Sequence, residues 1–182
     1  MPNSKPTDSS SKPFVFSWHR LFLHSSILGI CLLLGLLSWY ISKPQSIRLY
    51  ETSIGQHLAV YMTADVAISL DSNSSVTVTK NKPLQIELLK GNAYFDIGKD
   101  AINIPTVQVG NVLFEDTAAR FSIRKHNNGG GTVSVAIGQI SIRLASSTYM
   151  IHALEQADFN DNRMSNHQII STHDVAPWHA AE

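Results

Sequence analysis

Past residue 45 the chain is written in short runs of alternating apolar and polar positions: Leu58, Val60, Met62; Val66, Ile68, Leu70; Val76, Val78; Ile86, Leu88; Ala93, Phe95, Ile97; Phe121, Ile123; Val133, Val135, Ile137; and Ile140, Ile142, Leu144. A period of two over four to eight residues, rich in β-branched and aromatic side chains, predicts strands with one buried face. Between 45 and 150 no helical stripe competes with it. DSNSS at 71–75, NKP at 81–83 and NNGGG at 127–131 supply turn chemistry between the runs. In the last of these, Asn128-Gly129 is expected to provide the two positive-φ positions of a tight hairpin.

Two of these runs echo each other. Ile86–Ile97, IELLKGNAYFDI, and Val133–Leu144, VSVAIGQISIRL, superpose without a gap at an offset of 47. In each the alternation changes phase across a central glycine, as one extra residue at a bulge or tight corner would make it do. Gly91 and Gly138 are therefore expected at corners where a strand leaves one sheet and enters another. Parity puts Phe95 in the core and Tyr94 outside it. A repeated strand–Gly–strand unit predicts an all-β sandwich or a short solenoid-like stack.

Before this region the pattern is different in kind. Leu21–Ile41 reads LFLHSSILGICLLLGLLSWYI, 21 residues without a charge between Arg20 and Lys43. At about 1.5 Å rise per residue, such a helix crosses a hydrocarbon core of roughly 30 Å. Trp39 and Tyr40 mark an interface, and Lys43-Pro44 ends the helix beyond it. A cleavable signal would have a shorter apolar region and a pair of small residues after it, which SWYISKPQS lacks, so an uncleaved anchor is expected. The first 20 residues carry Lys5, Lys12 and Arg20 against Asp8 and are rich in Ser and Pro. They are read as a disordered cytoplasmic tail, with the folded mass exported.

Composition then narrows the chemistry. Lys plus Arg and Asp plus Glu number 14 each, and charged residues make up 15% of 182, so no basic excess exists for phosphate neutralisation and a nucleic-acid partner is excluded. The single cysteine, Cys31, falls within the apolar run, so no intrachain disulfide can form. Eight histidines prompt a metal search, but His167, His173 and His179 recur every six residues, a spacing that fits neither a helical face nor a strand. DFNDNR at 158–163 has Asp158, Asn160 and Asn162 at calcium-loop spacing, with Arg163 where the glycine is needed and Ile169 where the bidentate glutamate belongs. Glu115 and Asp116 are adjacent, which on a strand separates them to opposite faces. No catalytic, cofactor or metal site is expected, and the chain is not read as an enzyme. Exposed aromatics leave two candidate partner contacts, Tyr94 and Trp178. The segment 145–182 alternates poorly, and Trp178 either folds back on its own domain or docks on a partner.

The segment 50–144 resembles the extracytoplasmic domain of FecR-type transmembrane sensors. The likeness is carried by YETSIGQHLAVYM at 50–62, LQIELLKGNAYFDIGKD at 84–100, ARFSIR at 119–124 and VSVAIGQISI at 133–142, with Trp178 near the end of the domain. This chain departs from the family pattern at Thr63-Ala64-Asp65, where an Asp-Gly-Ser turn is usual, and at Asp116-Thr117, where Gly-Thr is usual. Residues 1–20 stand where the family has a helical anti-sigma unit, and the family's C-terminal signalling module is not found after Trp178. The resemblance implies an anti-sigma-like regulator acting by protein contacts from a bacterial inner membrane, its β domain in the periplasm.

The expected organisation is a tail at 1–20, a transmembrane helix at 21–41, a linker at 42–49, a FecR-like β domain at 50–150 and a C-terminal arm at 151–182. The expected function is signalling or regulation through an envelope or membrane protein partner, and self-association is compatible with it. The alternative is a structural or assembly subunit of an envelope complex, anchored by its helix.

Overall fold

The computed structural model describes residues 31–38, 46–80, 83–116 and 118–179. The chain divides into two compact units, Met1–Pro44 and Gln45–Glu182. In the first, residues 31–38 form a helix, α1, with Leu32, Leu33, Leu34, Leu36 and Leu37 all exposed. No helix among the described residues is long and apolar enough to cross a membrane. The remainder of the expected Leu21–Ile41 span, and the tail before it, lie outside the described residues.

The second unit holds fourteen strands among the described residues. They are β1 (Ile47–Glu51), β2 (Leu58–Thr63), β3 (Val66–Leu70), β4 (Ser75–Thr79), β5 (Gln85–Lys90), β6 (Asn92–Ile97) and β7 (Thr106–Val109). Then come β8 (Val112–Asp116), β9 (Arg120–Lys125), β10 (Gly131–Ile137), β11 (Gln139–Arg143), β12 (Thr148–His152), β13 (Glu155–Phe159) and β14 (Met164–Ile169). A single helical turn, α2 (Thr172–Val175), follows.

These strands form two seven-stranded sheets, ordered β1-β4-β5-β7-β8-β11-β12 and β14-β13-β10-β9-β6-β3-β2. Strand number rises steadily from one end of each sheet to the other. The chain thus deals strands alternately to the two sheets and builds the molecule from β1 and β2 toward β12 and β14. Apart from the hairpins, each rung joins strands with one or two other strands between them in sequence, as Asn92 with Arg124, and each apolar face is buried against the opposite sheet. All pairings are antiparallel except β5 with β7, which run parallel because β6 between them belongs to the other sheet. The architecture is an all-β sandwich, and the progressive threading is what its sequence shares with a solenoid.

One apolar layer joins the sheets. Val76, Val78, Ile86, Leu88, Val107, Phe114, Ile140 and Ile142 come from the first, and Ile68, Leu70, Phe95, Phe121, Ile123, Val133 and Val135 from the second. Phe95 is 1% exposed and stacks on Phe121 with ring centres 5.0 Å apart. Phe114 meets Phe159 edge-to-face at 5.1 Å, tying β8 to β13.

Both echo glycines sit between strands of different sheets. Gly91, at φ +80°, joins β5 of the first sheet to β6 of the second; Gly138, at φ +85°, joins β10 of the second to β11 of the first. The two units therefore cross the sandwich in opposite senses. At the β9–β10 hairpin the expectation is corrected. Gly129 has φ +89°, but Asn128 is not at positive φ; its Oδ1 accepts the Gly130 N–H at 3.3 Å. The loop spans residues 126–130, and a loop of that length needs one left-handed residue where a two-residue turn needs two.

Strands also extend beyond the expected 50–150 boundaries. β1 begins at Ile47, and the stretch read as a weakly patterned arm supplies β13, β14 and α2. β13 contributes only Ala157 and Phe159 to the core, and β14 is exposed at every position but Met164, so apolar alternation is faint there. Side chains reinforce its ladder with β13, and that of β13 with β10. Thr132 Oγ1 donates to Asp158 at 2.6 Å, and Asn166 Nδ2 donates to the same carboxylate at 2.6 Å.

Candidate partner-contact site

The outer face of the second sheet is laid out in rows by the strand registers. One row runs Ser69, Tyr94, Ser122, Ser134 and Gln156 across β3, β6, β9, β10 and β13. The next runs Asn92, Arg124, Thr132 and Asp158. Three serines in one row leave a shelf low enough for another segment to lie on it. Residues 171–179 do so: the Ser122 hydroxyl donates to the Val175 carbonyl, and Val175 and Ala176 are buried. The turn is closed by Ser171 and Asp174. The Ser171 N–H and Oγ both donate to Asp174 Oδ2, at 3.1 and 2.7 Å, which holds that carboxyl below the usual carboxylate range.

Trp178, one of the two aromatics singled out by sequence, ends this strap half-buried. Its ring stacks on His57 at 5.9 Å and 11°, and stands edge-on to His179 at 5.8 Å. His179 in turn stacks on Tyr94, the other aromatic, at 4.4 Å. The structure thus brings the two candidate contacts into one cluster on the domain's own surface, with Trp178 folded back. His57 Nδ1 lies 3.4 Å from Asp71 Oδ1, and Asn92 Nδ2 donates to Asp71 Oδ2 at 3.3 Å. Burial pushes the Tyr94 phenol above its ordinary value; nearby Asp96 adds to this and Arg120 opposes it. Arg120 and Asp96 pair at 2.9 Å.

Fit at this seam is incomplete. Two buried side-chain polar atoms lack a hydrogen-bond partner among the described residues, Asn92 Oδ1 and Trp178 Nε1, and both belong to it. Each such atom costs about 1–3 kcal/mol. Beside the strap, Asn92, Ser122, Arg124, Ser134, Gln156 and Asp174 line a recess of about 190 Å³. That is below the roughly 300–1,000 Å³ of common small-molecule sites. The surface suits a polypeptide segment, and one already lies there.

The other residues weighed for chemistry are dispersed. His167 pairs with Glu155 at 3.3 Å, away from His179. Asn160 Oδ1 accepts the N–H groups of Asn162 and Arg163 at 3.0 Å, an Asx turn, while Asp158 points to Thr132 and Asn166. Among the described residues no group of three His, Cys, Asp or Glu could hold a metal ion. Glu115 pairs with Arg143. Sequence reading missed His57, Asp71, Asn92 and the serine row. Serines recurring on the outward parity of successive strands were the available signal, but only the register shows them aligned.

A family model described as FecR protein matches residues 48–141, from β1 into β11. The strap and the last three strands lie beyond that match. Two crystal structures of a candidate anti-sigma factor from Parabacteroides distasonis share the fold. One has a TM-score of 0.66 at 15% identity, covering 75% of this chain and 66% of its own. The other has 0.64 at 16%, covering 74% and 65%. This chain thus spans just under two thirds of those structures. No curated protein matches it.

Proposed function

The chain belongs to the FecR family, and from that premise we propose that it is a single-pass inner-membrane regulator, not an enzyme, whose sandwich engages a membrane or envelope protein. In this reading residues 21–41 cross the membrane, the first 20 residues stay in the cytoplasm and the β domain stands in the periplasm. The match over residues 48–141 carries the regulatory part. The charge-free apolar run supports the topology, since it is long enough to span and ends in Trp39-Tyr40. The serine shelf supports recognition of a polypeptide segment, because it already accommodates one through a backbone carbonyl.

The test is fractionation of cells carrying the full chain, followed by affinity recovery from solubilised membranes. Detergent extraction with resistance to carbonate, protease access to the β domain only after the outer membrane is opened, and a stoichiometric membrane or envelope partner are expected. Recovery in a soluble fraction, or from membranes with no such partner, overturns the proposal.

A further inference from the structure

Among the described residues the sandwich has four edge strands, β1 and β12 on the first sheet and β2 and β14 on the second. Exposed edges invite pairing with other chains, and proteins blunt them with bulges, charges or proline. β2 is bulged, its register slipping between Tyr61 and Thr63. β14 is bulged opposite Ala157, where Asn166 sits at φ +52°. β1 is regular but carries Arg48 and Glu51, the latter paired with Lys90. β12, TYMIH, has none of these devices: its five pairs with β11 run without a slip, and it holds no acid, Lys, Arg or Pro.

The backbone polarity of that edge is fixed by its neighbours. The Leu144 N–H donates to the Ser147 carbonyl, which makes 144 and 147 a hydrogen-bonded pair. By the alternation of an antiparallel ladder, Thr148, Met150 and His152 then turn their N–H and C=O groups away from β11. The His152 N–H, accordingly, is taken by Glu155 Oε2 at 2.8 Å. Met150 has no such substitute among the described residues, and the residue is 48% exposed.

We propose that β12 is a self-pairing edge: two copies of this chain join β12 to β12, antiparallel, about a two-fold axis at Met150. Met150 then exchanges two backbone hydrogen bonds with its counterpart, and the Thr148 N–H donates to the His152 carbonyl of the other copy while the His152 N–H stays with Glu155. Tyr149, 37% exposed, meets the other copy's Ile151 on the core side, which extends the apolar layer across the junction. No like charges oppose, since the strand carries none apart from a protonatable His152. The two first sheets become one continuous sheet.

A five-residue edge buries less than the roughly 1,000 Å² of a stable interface, so covalent capture is the suitable readout. The full chain in detergent, carrying Cys31→Ser, would be given Met150→Cys or, on the bulged β2 edge, Tyr61→Cys. Under mild oxidation the Met150→Cys protein should form disulfide dimers at least about tenfold faster than the Tyr61→Cys protein, after normalising each thiol to maleimide reactivity, because a paired antiparallel position brings Cα atoms to about 5.5 Å. Mixing Thr148→Cys with His152→Cys proteins should give the heterodimer in excess of either homodimer. Equal rates at positions 150 and 61, or no excess of the mixed pair, overturns the proposal. Cross-linking of the Met150→Cys protein in cells to a different protein, without the dimer, assigns the edge to another partner and overturns self-pairing, while leaving the regulatory reading untouched.

Discussion

Gly91 lies so close against Ser74 that a Cβ on it would meet Ser74 Oγ at 2.3 Å and Ser74 Cα at 2.7 Å. The same Ser74 Oγ accepts the Asn92 N–H at 2.9 Å and donates to the Ser72 carbonyl at 3.2 Å. A buried serine thus closes the corner where the chain crosses between sheets, and only a residue without a side chain fits beside it. Gly138 repeats the arrangement against the Ala118 carbonyl, at 2.5 Å.

Gly91→Ala and Gly138→Ala should therefore each cost about 2–4 kcal/mol, the sum of an unfavourable positive φ and a clash with backbone that must move. Gly129, also at positive φ, has nothing within 4 Å of its would-be Cβ, so Gly129→Ala should cost only about 1–2 kcal/mol. Urea unfolding midpoints of the three variants check the order. A Gly91→Ala protein no less stable than the Gly129→Ala protein refutes the account of the corner.

Phe95 and Tyr94 are neighbours in sequence on opposite faces. Phe95→Ala should cost about 3–5 kcal/mol by opening a cavity beside Phe121. Tyr94→Ala should cost about 1 kcal/mol, chiefly the stacking with His179. Thermal unfolding of both variants gives the comparison, and a larger loss at Tyr94 would reverse the assignment of faces.

Trp178→Ala removes the contact with His57, and Ser122→Ala removes the donor to the Val175 carbonyl. Each should loosen the strap by about 1–2 kcal/mol while the sandwich stays folded. Hydrogen exchange should speed up in residues 171–179, with β4, β5 and β11 unchanged. Uniform acceleration throughout the sheet would show that the strap is integral to the fold.

Among the described residues three carboxyls are held below the usual range, Glu155, Asp158 and Asp174, and all lie from β13 to α2. The main causes are the hydrogen bond from the His152 backbone, the one from Thr132 and the one from Ser171, respectively. A carboxyl whose folded pKa is lowered stabilises the fold fully above its unfolded value of about 4, and this contribution is lost as pH falls through the folded value. Acidification below about pH 4 should therefore release the C-terminal hairpin and strap before the rest of the sandwich. Exchange mapped from pH 6 to pH 3 would show it, and Asp158→Asn should flatten the response around β13. Simultaneous loss of all strands would contradict the prediction.

What could be read from the residues follows from what each strand must do. Val66 to Leu70, Ala93 to Ile97, Val133 to Val135 and Ile140 to Ile142 alternate because each strand has one face in a shared core, and a period of two records that directly. The phase changes at Gly91 and Gly138 were visible because crossing between sheets swaps which parity is buried. Asn128 misled because a dipeptide does not fix loop length, and the register of Lys125 with Gly131 does.

The two strands nearest the C-terminus, β13 and β14, carry little local signal. β14 buries almost nothing, and β13 enters the core through Ala157 and Phe159 alone, with Gly131 leaving room for the Phe159 ring. Their place depends on hydrogen bonds from residues distant in sequence, which leave no local period. By itself the sequence determined the all-β class, the glycine corners, the inward place of Phe95 and the charge-free run at residues 21–41. Tertiary structure alone decided that Ser69, Ser122 and Ser134 share a row, that Trp178 lies on His57, and that β12 is left as the unguarded edge. Each of these is a relation between strands, set by register and by which elements finish last at the end of the sandwich, and alternation within a strand carries no information about it.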